Sequence, residues 1–152
     1  MKLTTKGRYA VMAVADIAAQ GVGACVSLPD IAARQGMSLT YLEQLMGKLR
    51  RAGLVESERG AQGGYRLTAK AAEIDLNAVI FAVDEDIKAH GCSPELKRSC
   101  TGKSDRCLTH NLWGALEAHI EGFLSGISVQ DVIDQNFPPA PVFAQTNMAA
   151  AL

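Results

Sequence analysis

Three patterns predict a mainly α-helical chain with one short β-hairpin near its middle. Two helical segments meet at Gly36-Met37, and two alternating runs flank the glycine-rich RGAQGG at 59–64. A long, apolar-striped helix then follows a stretch holding three cysteines. Residues 7–20, GRYAVMAVADIAAQ, are Ala-rich and almost continuously apolar, which predicts a helix buried on most sides and stopped by Gly21 and Gly23. In SLPDIAARQG, Ser27 can cap, Pro29 suits a first helical turn and Gly36 ends a short helix. Ser38 or Thr40 opens the next helix, in which Leu42, Leu45, Met46 and Leu49 recur at i, i+3, i+4 and i+7 as a core-facing stripe. Thr40 and Glu43 have capping-box spacing, and Gly53 is placed as the stop. Two such helices joined by a tight turn make a helix-turn-helix.

LVESE at 54–58 and YRL at 65–67 read as strands, joined by a tip whose glycines supply the positive φ a hairpin needs. A hairpin directly after a helix-turn-helix is a wing. Residues 75–84, DLNAVIFAVD, give a further short helix with Asp75 as its cap. Residues 108–127 form a long helix with Leu112, Leu116, Ile120, Phe123, Leu124 and Ile127 on one stripe. That stripe is more apolar surface than a small domain covers, so it is a candidate dimer contact, with packing on the chain's own first domain as the alternative. From Phe137 the chain has three prolines, no charge and no period, which predicts a disordered tail. The expected fold class is therefore mainly α: a winged helix-turn-helix with a two-stranded β wing, a cofactor-binding loop and a long dimerisation helix. Its boundaries are 1–70 for the winged domain, 71–90 for a linking helix, 91–110 for the loop, 108–135 for the dimerisation region and 136–152 for the tail.

The charge is divided along the chain. Net charge is −1, but residues 1–70 carry ten Lys/Arg against five Asp/Glu, while residues 71–152 carry five against eleven. A front half at +5 is the footprint of polyanion binding. On the second helix of the pair, Thr40, Tyr41, Glu43, Gln44 and Lys48 are expected on outer faces, with Ser38 at its start. Gln44 suits an adenine edge and Thr40 a base or a thymine methyl. Tyr41 offers a hydroxyl to phosphate or base, and Lys48, Arg50 and Arg51 supply charge toward the backbone. Glu43 is repelled by phosphate yet can accept from cytosine N4, so it is expected to select among sequences rather than add affinity; the alternative is a first-turn carboxylate that never meets DNA. Arg59 at the wing tip suits a narrow minor groove, and Arg8 precedes the first helix, whose amides favour phosphate.

Residues 91–110 read GCSPELKRSCTGKSDRCLTH: Cys92, seven residues, Cys100, six residues, Cys107, two residues, His110. MKLTTKGRYA lacks the architecture of a signal peptide and no apolar run approaches a membrane span, so a cytoplasmic protein is expected. There, clustered cysteines hold metal or do redox chemistry rather than form disulfides. Three thiolates and an imidazole can complete a tetrahedral zinc site or ligate an iron–sulfur cluster. Only Cys107–His110 has tight chelate spacing, whereas structural zinc sites usually show two close pairs. The loop is polar and glycine-containing, so it is expected to be ordered mainly by what it binds. Cys25 reads as a small buried hydrophobe, His119 as structural, and His90 as a substitute ligand at best. No nucleotide-binding glycine motif, HExxH or Ser-His-Asp set is present, so neither an enzyme nor a small-molecule substrate is expected.

Six blocks carry a family resemblance: LTTKGRYAV at 3–11, DIAARQGMSLTYLEQL at 30–45, LRRAGLVESERG at 49–60, GGYRL at 63–67, AVDE at 82–85 and CLTHNLW at 107–113. In their order and identity they resemble the Rrf family of winged-helix repressors. The resemblance implies a homodimeric bacterial transcription factor that binds double-stranded, two-fold symmetric operators and carries one 2Fe-2S cluster per subunit. It implies Cys92, Cys100, Cys107 and His110 as ligands, and cluster-bound and cluster-free forms that favour different operators, so that iron–sulfur status sets expression of cluster-assembly genes. A nitric-oxide-sensing relative with a three-cysteine cluster is the nearest alternative within the family. The cysteine intervals look longer than the family's usual loop, and Ala61-Gln62 replace its usual Pro-Gly in the wing. A neutral imidazole in place of a thiolate raises the cluster's potential and makes ligation pH-dependent, as suits a sensor that must lose its cofactor.

Overall fold

The computed structural model describes residues 5–60, 63–84 and 108–139. The first helix, α1 (Thr5–Ala19), is central and packs against the four further helices that make up its surroundings and against the second strand. Its small residues permit this: Ala10, Ala13 and Val14 are fully buried and Ile17 nearly so, as its apolar character predicts. Helix α2 (Leu28–Gln35) begins at Ser27, whose hydroxyl accepts from the Asp30 amide at 3.3 Å, and ends at Gly36 in the left-handed region at φ 64°. Helix α3 (Leu39–Arg51) follows after the turn at Gly36-Met37, with Ser38 as its N-cap. Thr40 therefore lies inside the first turn, and the capping box expected of Thr40 and Glu43 is corrected: the Ser38 side chain makes no capping bond either. Leu42, Leu45, Met46 and Leu49 are buried, as their spacing requires.

Strands β1 (Val55–Glu58) and β2 (Gly64–Leu67) pair antiparallel, from Val55 opposite Leu67 to Glu58 opposite Gly64. The other edge of β2 is also used, because Val26 and Tyr65 exchange backbone hydrogen bonds at 2.9 and 2.8 Å. This contact corrects the role expected for the tip glycines. Gly60 does have a positive φ of 128°, but Gly63 and Gly64 do not; at Gly64 a Cβ would collide with the Val26 carbonyl. Gly64 is a requirement of close backbone approach.

A single 3₁₀ turn (Ala71–Glu73) leads to α4 (Leu76–Ala82), where Asp75 accepts from the Ala78 amide at 2.8 Å. Helix α5 (His110–Ser125) contains no buried residue and rests on α4. The expected helix over 108–127 is shorter than its stripe: it ends at Ser125, and Ile127 turns into the core with 4% exposure. There Leu76 donates to the Ile127 carbonyl at 2.9 Å and Val129 to that of Ile74 at 2.8 Å, tying the chain after α5 to the chain before α4. A capping box between Ser128 and Asp131 then starts α6 (Val129–Asp134). Hydrogen bonds from the Ser128 side chain, its amide and Asn136 hold the Asp131 carboxyl below its usual range. The loop cysteines, His90 and the tail from 140 onward lie outside the described residues.

Candidate nucleic-acid interface and metal-binding segment

Helix α3 is held by α1, α2, α4 and β1, so its outward face is set by the core stripe on its inner one. Ser38, Thr40, Glu43, Gln44, Arg50 and Arg51 are exposed, with Arg50 reaching Ser57 Oγ at 3.3 Å. Leu39, 42% exposed, joins this face, although its apolar type gives no signal for it. Two residues expected on outer faces are placed otherwise. Tyr41 is half-buried and stands edge-on to Tyr9, ring centroids 5.9 Å apart. Lys48 is half-buried and pairs with Asp84 at 2.8 Å, because it sits one step round the helix toward α4.

The orientation of α2, and hence of the turn into α3, rests on a charge inside the core. Asp16 of α1 is 7% exposed and accepts from Arg34 Nε at 3.0 Å, Arg34 Nη2 at 2.7 Å and Gln35 Nε2 at 2.9 Å. Burial pushes its carboxyl up, but the hydrogen bonds from Arg34 and Gln35 and the guanidinium's charge outweigh it and leave the pKa lowered. Arg34 is thereby a structural cation rather than one offered to DNA.

On the wing, Glu56 and Glu58 would repel phosphate. Arg66 answers both from the opposite strand, at 2.7 Å to Glu56 Oε1 and 3.5 Å to Glu58 Oε2. The hydrogen bond and charge of Glu56, then the charge of Glu58, hold the Arg66 guanidinium still more firmly protonated. Sequence reading missed Arg66; the hairpin register that sets Glu56 opposite it was the available signal. Arg59 remains exposed beside Gly60, and Arg8 is exposed in the first turn of α1.

Of the four candidate ligands, His110 is described and Cys92, Cys100 and Cys107 lie outside the described residues. His110 is the half-buried first residue of α5, at the positive end of that helix's dipole. Beyond it, Leu112, Leu116 and Phe123 are 60%, 37% and 48% exposed and Ile120 is half-buried, with Trp113 beside them at 38%. Cys25 is half-buried rather than buried, a correction that follows from its place in the exposed turn after α1. His119 is exposed on α5. Among the described residues no helix is long and apolar enough to cross a membrane.

A reading helix with its outer face exposed, a charge-balanced wing and a basic front half define a DNA-binding winged-helix transcription regulator, not an enzyme. The chain belongs to the Rrf2 family, described as iron-dependent transcriptional regulator, whose profile matches residues 3–135. It is 52% identical over 136 residues to the HTH-type transcriptional regulator IscR of Aliivibrio salmonicida, covering 90% of this chain and 79% of that one. The IscR of Photorhabdus laumondii is 51% identical over 134 residues, with 88% and 80% covered. Among solved structures, T. potens IscR superposes with a TM-score of 0.69 at 37% identity, over 89% of this chain and 88% of that one. CymR, the global cysteine regulator of B. subtilis, gives 0.74 at 28% identity, over 89% and 98%.

Proposed function

We propose that this chain is a cytoplasmic, homodimeric regulator that holds a 2Fe-2S cluster through Cys92, Cys100, Cys107 and His110. Its cluster-loaded and cluster-free forms choose different two-fold operators, so that iron–sulfur supply governs cluster-assembly genes. The observation that carries this reading is the position of His110, which opens the same helix that bears the exposed Leu112, Leu116 and Phe123 and the half-buried Ile120. A ligand gained or lost at the start of α5 acts on the helix that joins two reading heads.

The donor set fits the group. Three thiolates suit iron–sulfur ligation, and the imidazole sits at a helix start whose partial positive charge favours an anionic, thiolate-rich partner. When bound, the cluster supplies a centre sensitive to oxygen and to redox state. The chain's own residues do the reading. Ser38, Thr40, Glu43 and Gln44 meet base edges in the major groove, Tyr41 steadies the start of the helix through Tyr9, and Arg8, Arg50 and Arg51 approach phosphates. Arg59 enters the minor groove from the wing. Paired through α5, two such heads read half-sites about one helical turn, roughly 34 Å, apart.

Anaerobic purification followed by an absorption spectrum and iron, sulfide and zinc analysis tests the cofactor. Reddish-brown protein with iron and sulfide in equal amounts is expected. Colourless protein with one zinc per chain sinks the reading.

A further inference from the structure

The structure assigns Lys48 and Asp84 together as a positioning contact that holds the DNA-reading helix α3 on the end of α4. Lys48 Nζ lies 2.8 Å from Asp84 Oδ2 and donates to the Val83 carbonyl at 3.4 Å. The lysine is thus spent on two acceptors of one turn rather than directed outward, and its side chain is only 25% exposed. Asp84 takes part at a conformational cost. It has a φ of 55°, in the left-handed region that aspartate tolerates better than most residues but does not prefer. Its carboxyl is held below its usual range by the hydrogen bond and charge of Lys48, against some burial, and further by Lys6 and Arg51. A single carboxylate therefore stands among cations from the start of α1 and the last turns of α3.

Two readings of an acid in this place differ in sign. If Lys6, Lys48 and Arg51 formed a phosphate-binding patch, Asp84 would only weaken DNA binding by cancelling charge. As a positioning contact, it strengthens binding although it is negative, because it fixes where α3 points. Stability alone does not explain the pair, since partly exposed ion pairs contribute about 0–1 kcal/mol. Its place in the sequence gives it a use: Asp84 lies eight residues before Cys92. The positioning role itself rests only on DNA binding and stands or falls separately.

The test uses the full chain, as purified, on a duplex selected by the wild type from a random pool, with affinity measured across a salt series. Asp84→Asn and Lys48→Met are each expected to weaken binding about fivefold. The double variant is expected to be no weaker than the weaker single one, and Lys48→Arg to bind as wild type. The salt dependence should be unchanged in all of them. Tighter or unchanged binding by Asp84→Asn overturns the assignment. So does a fall of about 0.9 in the salt slope for Lys48→Met, the signature of one lost phosphate contact. Asp84 is 77% exposed, so Asp84→Asn gives the decisive answer even where Lys48→Met folds poorly.

Discussion

At the scale of single residues, the charges near the reading surface divide into those that face DNA and those that hold the scaffold. Asp16 is the clearest of the second kind, because a carboxylate so far inside costs several kcal/mol unless it is satisfied. Arg34 and Gln35 satisfy it, yet the Arg34 side chain is 40% exposed. Arg34→Ala should therefore lower stability in denaturant unfolding, by less than breaking a fully buried pair does. Because the Asp16 pKa is lowered by folding, its contribution is complete above the ordinary carboxylate value of about 3.9 and is lost as pH falls through the lowered one. The wild-type advantage over Arg34→Ala should shrink below that pH and not above it. On the proposed reading Glu43 is of the first kind, an exposed carboxylate on the outer face of α3. Glu43→Ala should change the ranking of a panel of duplexes by about 1–3 kcal/mol at one base position, as loss of a base contact does. An unchanged ranking would remove the selectivity role.

At the scale of elements, the sequence was most readable where a pattern is local. Ser27, Pro29 and Gly36 bound α2, and the i, i+3, i+4, i+7 leucines orient α3, because caps and periodicity act within a few residues. What escaped depends on partners distant in the chain. The turn of Ile127 into the core is decided by pairing with the segment at 74–76, and Gly64 by the approach of Val26. Lys48 read as an outward cation because nothing in α3 announces Asp84, thirty-six residues on. The same distance explains Arg34, whose partner sits in α1. Gly64→Ala measures the point directly: it should destabilise the winged domain by about 1–3 kcal/mol, as overpacking does, since backbone rather than a flexible side chain must yield. A loss near zero would mean the Val26–Tyr65 pairing is dispensable.

At the scale of the whole molecule, one helix is left largely outside the fold. No residue of α5 is buried, and its exposed apolar stripe is the opposite of what a solvated helix presents. If α5 is the subunit contact of the proposed homodimer, Phe123→Asp should convert dimer to monomer in sedimentation experiments at micromolar concentration while the melting of the winged domain stays the same. A variant that remains dimeric would place the subunit contact elsewhere. The candidate cofactor site rests on donors and spacing in 91–110, since ligand chemistry is written in residue type, and of its four donors the described residues include His110 alone. The central claim joins the two ends of the chain: the state of the segment holding Cys92, Cys100, Cys107 and His110 decides which DNA α3 and the wing prefer. Selection of duplexes from a random pool, by anaerobic cluster-loaded protein and by the same protein after cluster removal, tests it most directly. The account predicts two distinguishable consensus sequences, each two-fold symmetric; one consensus shared by both forms would contradict it.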